Sequence, residues 1–411
     1  MLNTAAIFLG VTALLAYLNR RYIGLPSAIG VMAIALLISL LNMVADSMGL
    51  HFLQIYEQSL MKSLDFSELL MQGMLSLLLF AGALHIDLQK LRTYRWQVAS
   101  LAFIGTALST IIIGLSLWGI LTFTGLDLPF AYCLIFGALI SPTDPIAVIG
   151  ILRSAGAPKN VELVMSGESL FNDGVSVVFF SLVFSMLTSA ETPGFKEAGF
   201  LLIKEVGGGA LLGGLIGYII YLMLKSIDSY QEEVLITLAA VLGGYALATY
   251  IGVSGPLAMV VMGLIVGNQG RSNAMSEETE RHVDMFWELI DEILNAVLFV
   301  LIGLEVIVLH FTHALVGIAG VVILLTLFTR LLTVGLPVRL FNRLFRLPNG
   351  SWAVLTWGGL RGGISVALAL SLPVGEYRDT VVSLTYLVVV FSVLVQGMTV
   401  GKLASRVMRV K

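Results

Sequence analysis

Charge is what this chain has least of: 12% of its 411 residues are charged, against 58% hydrophobic residues, and its mean hydropathy is +0.96. A soluble domain carries about twice that charged fraction, so an ordinary water-soluble fold is excluded. Cysteine is nearly absent too. Cys133, the single one, sits in an apolar run, cannot close an internal disulfide and reads as a small packing residue. The net charge of −3 comes with no basic stripe, which removes nucleic acid as a partner. Cys/His ligand clusters, HExxH runs and phosphate-cradling glycine loops are missing, so no cofactor or resident metal is expected. No nucleophile and base stand together, which argues against an enzyme. The first residues, Met1 to Thr4, lack a basic n-region, so the first apolar segment is expected to be a retained span.

What fills the chain instead is a series of apolar runs, long enough for membrane-crossing helices and too long for the alternating strands of a barrel. The reading is an all-α polytopic membrane protein of about 13 transmembrane helices. Their approximate limits are 4–19, 26–45, 68–86, 97–122, 130–152, 161–187, 199–224, 233–251, 254–269, 285–309, 313–338, 352–373 and 380–400. Of the 23 basic residues, only Lys62, Lys196 and Arg378 fall in loops after even-numbered spans, and Lys204, Arg330 and Arg361 fall within spans. The rest crowd the loops after odd-numbered spans and the C-terminal tail. By the positive-inside rule the N-terminus is outside and the C-terminus cytoplasmic. Residues 46–67 and 270–284 are too polar to cross and are expected to be solvated linkers rather than surface helices. No polar stretch is long enough for a soluble domain, leaving one membrane domain over 1–411.

Two spans carry helix breakers. In the fifth, Pro142 and Pro145 each remove a backbone donor and disfavour helix in the residue before, so the chain should unwind at Thr143 and Asp144. In the twelfth, Gly358, Gly359, Gly362 and Gly363 surround Leu360 and Arg361. The trios of spans four to six and eleven to thirteen would enter the membrane from opposite sides. That pattern predicts an inverted repeat with two crossing broken helices, a pointer to a transport site.

The polar residues cluster around these breaks. Ser169, Asn172, Asp173 and Ser176, at spacings of three, one and three, share one face of the sixth span. An ionisable group at membrane depth marks a functional site by default, and an inter-helix hydrogen bond alone would be served by Asn or Ser without a charge. Asp173 is therefore the expected ion and proton carrier, with Asn172, Ser169, Thr143 and Asp144 expected in the same ion- and proton-binding set. Hard monovalent cations such as Na⁺ or Li⁺ favour oxygen ligands, which Asp173, Ser169 and Thr143 could supply with freed backbone carbonyls. Asp144 either joins that cation site or faces the positive end of the half-helix restarting after Pro145. Glu168 points away from Ser169, and a bidentate bridge to Arg361 would neutralise both. Asp291 and Glu292 in the tenth span are expected near its cytoplasmic end as interfacial residues, a cation funnel being the alternative.

Gly167-Glu168-Ser169-Leu170-Phe171-Asn172-Asp173-Gly174, Ser141-Pro142-Thr143-Asp144-Pro145 and Trp357-Gly358-Gly359-Leu360-Arg361-Gly362-Gly363 together resemble the sodium/proton exchanger family, in its NhaP-like and NHE-like branch. Val395-Gln396-Gly397-Met398-Thr399 and Gly303-Leu304-Glu305 are similar to further motifs of that family. The resemblance covers nearly the whole chain. It implies an antiporter of a plasma membrane, a bacterial inner one, exchanging Na⁺ or Li⁺ for H⁺. K⁺ is the alternative cargo, and a gated cation channel the alternative class. It also implies a homodimer in lipid, with core helices at about 97–187 and 313–400 moving as an elevator against dimerisation helices at about 4–86 and 199–309. By the same resemblance Asp173 binds ion and proton, Glu168 and Arg361 form a salt bridge, and the Asn172-Asp173 pair goes with electroneutral one-for-one exchange. One departure is Ala81, where members often carry an acidic residue.

Overall fold

The computed structural model describes residues 2–47, 73–125, 128–144, 146–188, 195–271, 274–306, 309 and 313–408. Among them are helices and no strands. In chain order these are α1 (Leu2–Leu18), α2 (Ser27–Ser47), α3 (Leu75–Leu84), α4 (Arg95–Thr124), α5 (Phe130–Ile140), α6 (Ile146–Ser154), α7 (Lys159–Thr188) and α8 (Phe195–Lys225). They continue as α9 (Tyr230–Ile251), α10 (Gly255–Gly270), α11 (Glu277–Glu305), α12 (Ala314–Leu340), α13 (Ser351–Trp357), α14 (Gly363–Leu370) and α15 (Glu376–Val407). The expected external stretch 46–67 lies almost wholly outside the described residues.

Among the described residues, helix is found within each stretch read as a span. Seven of the described helices, α2, α4, α7, α8, α9, α12 and α15, are individually long and apolar enough to cross a bilayer. The 30 residues of α7 reach about 45 Å, more than the roughly 30 Å of a hydrocarbon core. Large apolar side chains such as Leu211 and Tyr250 point outward, as lipid requires, while Trp287, Phe136 and Phe299 fill the interior. Trp287 packs against Phe80 with ring centroids 4.6 Å apart, and its indole N–H donates to the Thr237 hydroxyl at 3.1 Å, so even this buried donor is satisfied.

Both expected interruptions are present. Helix stops at Ile140 and resumes at Ile146, and stops again at Trp357 to resume at Gly363. The segment 270–284 departs from expectation. From Glu277 it is the first part of α11 and continues without a break into the tenth span. The cause is local: Ser276 is an N-cap whose hydroxyl accepts from the Thr279 N–H while the Thr279 hydroxyl accepts from the Ser276 N–H. Glu277, Glu278 and Glu280 then sit where the positive end of the helix dipole favours them. Ser276→Ala should lower stability by about 1 kcal/mol, read as a lower melting temperature in detergent.

Candidate functional site

The prolines of the first break leave carbonyls without their helical partners, and the structure shows what replaces them. Pro142 has no N–H to give the Ala138 carbonyl, which instead accepts from the Ser176 hydroxyl of α7. Pro145 has none for Ser141; the Arg361 guanidinium donates to the Ser141 carbonyl at 2.6 Å and to the Pro142 carbonyl at 2.8 Å. A cation at the negative end of half-helix α5 also suits its dipole. The Asp144 N–H donates to the Leu360 carbonyl at 2.8 Å, so the backbones of the two breaks are bonded to each other.

The second break is held from α15. The Arg361 N–H donates to Ser392 Oγ at 2.9 Å, Ser392 donates to Gln396 Oε1 at 2.7 Å, and Gln396 Nε2 donates to the Trp357 carbonyl at 2.9 Å. Trp357 Nε1 donates to Thr399 Oγ1 at 2.8 Å. The closing motif Val395 to Thr399 is thus a clamp on the glycine-rich interruption. Gly362 is needed there for a steric reason: a Cβ at this position would stand 2.5 Å from Asp144 Oδ2 and 2.9 Å from its carboxyl carbon. Gly362→Ala should therefore push the Asp144 carboxylate aside and cut transport severely while leaving the protein in the membrane, read as initial flux per inserted protein in vesicles.

The shared face of α7 is directed at the first break. Asn172 Nδ2 donates to Thr143 Oγ1 at 3.0 Å, Asn172 Oδ1 accepts from the Thr143 N–H at 3.4 Å, and the hydroxyls of Thr143 and Ser169 lie 2.8 Å apart. Ser169 and Asn172 are buried behind Thr143, whereas Thr143, Asp144 and Asp173 line a cavity of about 640 Å³. Among the described residues no Lys or Arg pairs with Asp173, which is 8% exposed.

Asp291 and Glu292, expected near the cytoplasmic end of the tenth span, line this cavity. With Asp284, Glu288 and Asn295 they form one acidic wall of this same cavity, facing Asp144 and Asp173. From Asp284 to Asn295 that wall descends roughly 16 Å along α11. Asn295 Nδ2 donates to Asp291 Oδ1 at 3.1 Å, and Arg271 pairs with Asp284. Their spacing along the helix was the signal for this arrangement, since 284, 288, 291, 292 and 295 share a face. Ala81 is fully buried, and its neighbour Gly82 reaches the cavity instead.

The bridge expected between Glu168 and Arg361 is not the one formed. Glu168, 1% exposed, accepts from both terminal nitrogens of Arg330, at 2.5 Å and 2.8 Å. Arg361 is committed to the backbone carbonyls of the first break: Ser141, whose helical donor position is occupied by Pro145, and Pro142, which lies in the interruption itself. Arg330, within α12, is the residue sequence reasoning missed. A Cβ at Gly359 would come within 2.5 Å of Arg330 Nε, so the glycine-rich break also makes room for this guanidinium.

Pairing of two interrupted helices in a helical bundle, beside a buried carboxylate that faces an acidic cavity, is the arrangement of a secondary ion transporter. The chain belongs to the sodium/hydrogen exchanger family: the family model described as sodium/hydrogen exchanger, transmembrane, matches residues 10–406. It is 50% identical, over 99% of its length and 97% of the relative's, to the Na⁺/H⁺ antiporter NhaP of Pseudomonas aeruginosa. It is 36% identical to the Na⁺/H⁺ antiporter NhaH of Halobacillus dabanensis, covering 89% of this chain and 90% of that one. In fold it is similar to the sodium proton antiporter MjNhaP1 from Methanocaldococcus jannaschii, with a TM-score of 0.79, 20% identity, and 100% and 99% of the two chains covered. The named relatives are transporters rather than enzymes, and the chain is an integral membrane protein.

Proposed function

We propose that this protein is a secondary antiporter that exchanges Na⁺, or Li⁺, for H⁺ one for one across a bacterial inner membrane, with its N-terminus outside and its C-terminus in the cytoplasm. The observation that carries this reading is the state of Asp173: a buried carboxylate with no paired cation among the described residues, opening onto an acidic cavity. Such a group can hold a proton or a cation but not both, and that competition couples the two fluxes. The names of the relatives point to Na⁺ as the cargo.

In this reading Asp173 carries the ion, Thr143 and Asp144 complete its surroundings, and Ser169 and Asn172 position Thr143. Ion contact by Thr143 fits hard-cation chemistry, since a hydroxyl and a carboxylate are both oxygen donors. The formal charges at the crossing favour electroneutral exchange. Counted as formal charges, Glu168 and Arg330 cancel each other and Arg361 offsets one of the two carboxylates Asp144 and Asp173, which leaves one negative charge for one Na⁺ or one H⁺ to cancel. The hydrogen bond from Asp144 to Leu360 makes the two breaks one mechanical piece, which supports an elevator in which the core helices, about 97–187 and 313–400, move together against dimerisation helices at about 4–86 and 199–309. About thirteen spans, the inverted repeat and a homodimer complete the proposal.

The experiment is exchange in proteoliposomes, read by recovery of a quenched pH dye on adding Na⁺, Li⁺ or K⁺, with and without an imposed membrane potential. Na⁺ and Li⁺ should restore fluorescence, K⁺ should not, and the initial rate should not respond to voltage. An equal response to K⁺ would reject the cargo, and a voltage-dependent rate would reject the stoichiometry. Single-channel currents would reject the carrier altogether.

A further inference from the structure

Away from the acidic cavity, the connection between α3 and α4 carries a second, different opening. Leu88–Thr93 forms a short turn of helix there, capped by Asp87, whose side chain accepts from the Lys90 N–H at 3.0 Å and pairs with Lys90 Nζ at 2.7 Å. That interaction holds the Asp87 carboxyl below its usual range. Asp87 is therefore engaged by Lys90, and the two arginines that follow, Arg92 and Arg95, have no carboxylate partner among the described residues. Both are exposed, and Arg95 lies over the ring of Trp96 at 5.6 Å from its centroid.

Directly beneath these arginines is a groove of about 400 Å³ with almost wholly apolar walls, formed by Leu88, Leu91, Val98, Ala99, Phe103 and Phe171. It runs inward from the arginines: Phe103 lies about 12 Å along α4 from Arg95, and Phe171 belongs to α7, next to Asn172. Phe103 is itself 39% exposed, so the groove opens outward from the bundle. Exposed Trp96 beside the arginines is the residue type that settles at headgroup depth. Two cations at the interface above an apolar slot define a ligand with a negative head and a hydrocarbon tail. A water-soluble anion would leave the slot unused, and an uncharged lipid would leave both arginines without a counter-charge.

We propose that this groove is a binding site for an anionic phospholipid of the bilayer, its phosphate held between Arg92 and Arg95 and one acyl chain laid along Phe103 and Phe171. Bound there, the lipid sits against the segment that joins the two groups of helices assigned above. That positional consequence rests on the proposed division into core and dimerisation helices; the binding site does not.

The test is native mass spectrometry of the purified, delipidated full-length protein, titrated with phosphatidylglycerol and with phosphatidylcholine of the same chains. Phosphatidylglycerol should bind one equivalent tightly and phosphatidylcholine weakly. R92Q/R95Q should weaken phosphatidylglycerol about thirtyfold, as the loss of two interfacial cations implies. R92K/R95K, which keeps the charges, should retain most of the binding. Ala99→Leu, which narrows the slot and leaves both arginines, should also weaken it, an effect that attraction to surface charge alone would not give. Equal binding of the two lipids, or undiminished phosphatidylglycerol binding by R92Q/R95Q or by Ala99→Leu, would overturn the site. Melting curves of R92Q/R95Q and R92K/R95K in lipid-free detergent should match the parent, since both arginines are exposed.

Discussion

Asp173→Asn is expected to abolish cation-driven proton exchange completely while the protein remains inserted and folded. The substitution keeps the shape of the side chain and removes the one carboxylate of α7 that opens onto the cavity without a paired cation among the described residues. Its neighbour Asn172 cannot take over, being neutral and already bound to Thr143 through both ends of its amide. Stability should not fall and is expected to rise, because an ionised group held away from bulk water costs a few kcal/mol that the amide does not. Dye recovery in vesicles and a melting curve in detergent, run on one preparation, read both effects. Na⁺-driven proton movement persisting in the variant would remove Asp173 from the centre of the mechanism.

Breaking the ion pair of Glu168 should have the opposite balance, a large loss of stability. Glu168→Gln or Arg330→Gln alone leaves a buried, unpaired charge and should cost about 3–5 kcal/mol. The double variant E168Q/R330Q should recover much of that loss, since neither charge remains to be stranded. A double-mutant cycle on melting temperature or on unfolding in denaturant measures the coupling. The same cycle between Glu168 and Arg361 should show a much smaller coupling, because Arg361 spends its hydrogen bonds on Ser141 and Pro142. Equal coupling in the two cycles would mean that the arginines share Glu168.

The helical architecture and both interruptions could be read from the chain because each has a local cause: apolar length for the spans, missing donors at Pro142 and Pro145, weak helix at the four glycines. That Asp173 is a carboxylate buried within the bundle was legible for a similar reason, since it stands in the middle of an otherwise apolar span. The partner of Glu168 was not. Arg330 and Arg361 are both intramembrane cations far from it along the chain, and only the folded path shows that broken-helix carbonyls claim one of them. The signal available was that an arginine in an otherwise apolar span demands a counter-charge, a demand left unmet when Glu168 was assigned elsewhere. That Asp291 and Glu292 line the cavity follows from the face they share with Asp284, Glu288 and Asn295, which depth along the helix alone does not show. The start of α11 was hidden because an acidic run reads as solvated linker until Ser276 and Thr279 are recognised as its cap.

The hydrogen bond from Asp144 to Leu360, with the two from Arg361 to Ser141 and Pro142, also has a consequence for synthesis. These partners are about 220 residues apart in the chain. At an elongation rate of 5–20 residues per second, the first interruption is made roughly 11–44 s before the arginine that completes it. For that interval a nascent chain carries orphaned carbonyls at bilayer depth. The N-terminal half is thus obliged to wait, shielded by the insertion machinery or by water, until its C-terminal counterpart is translated.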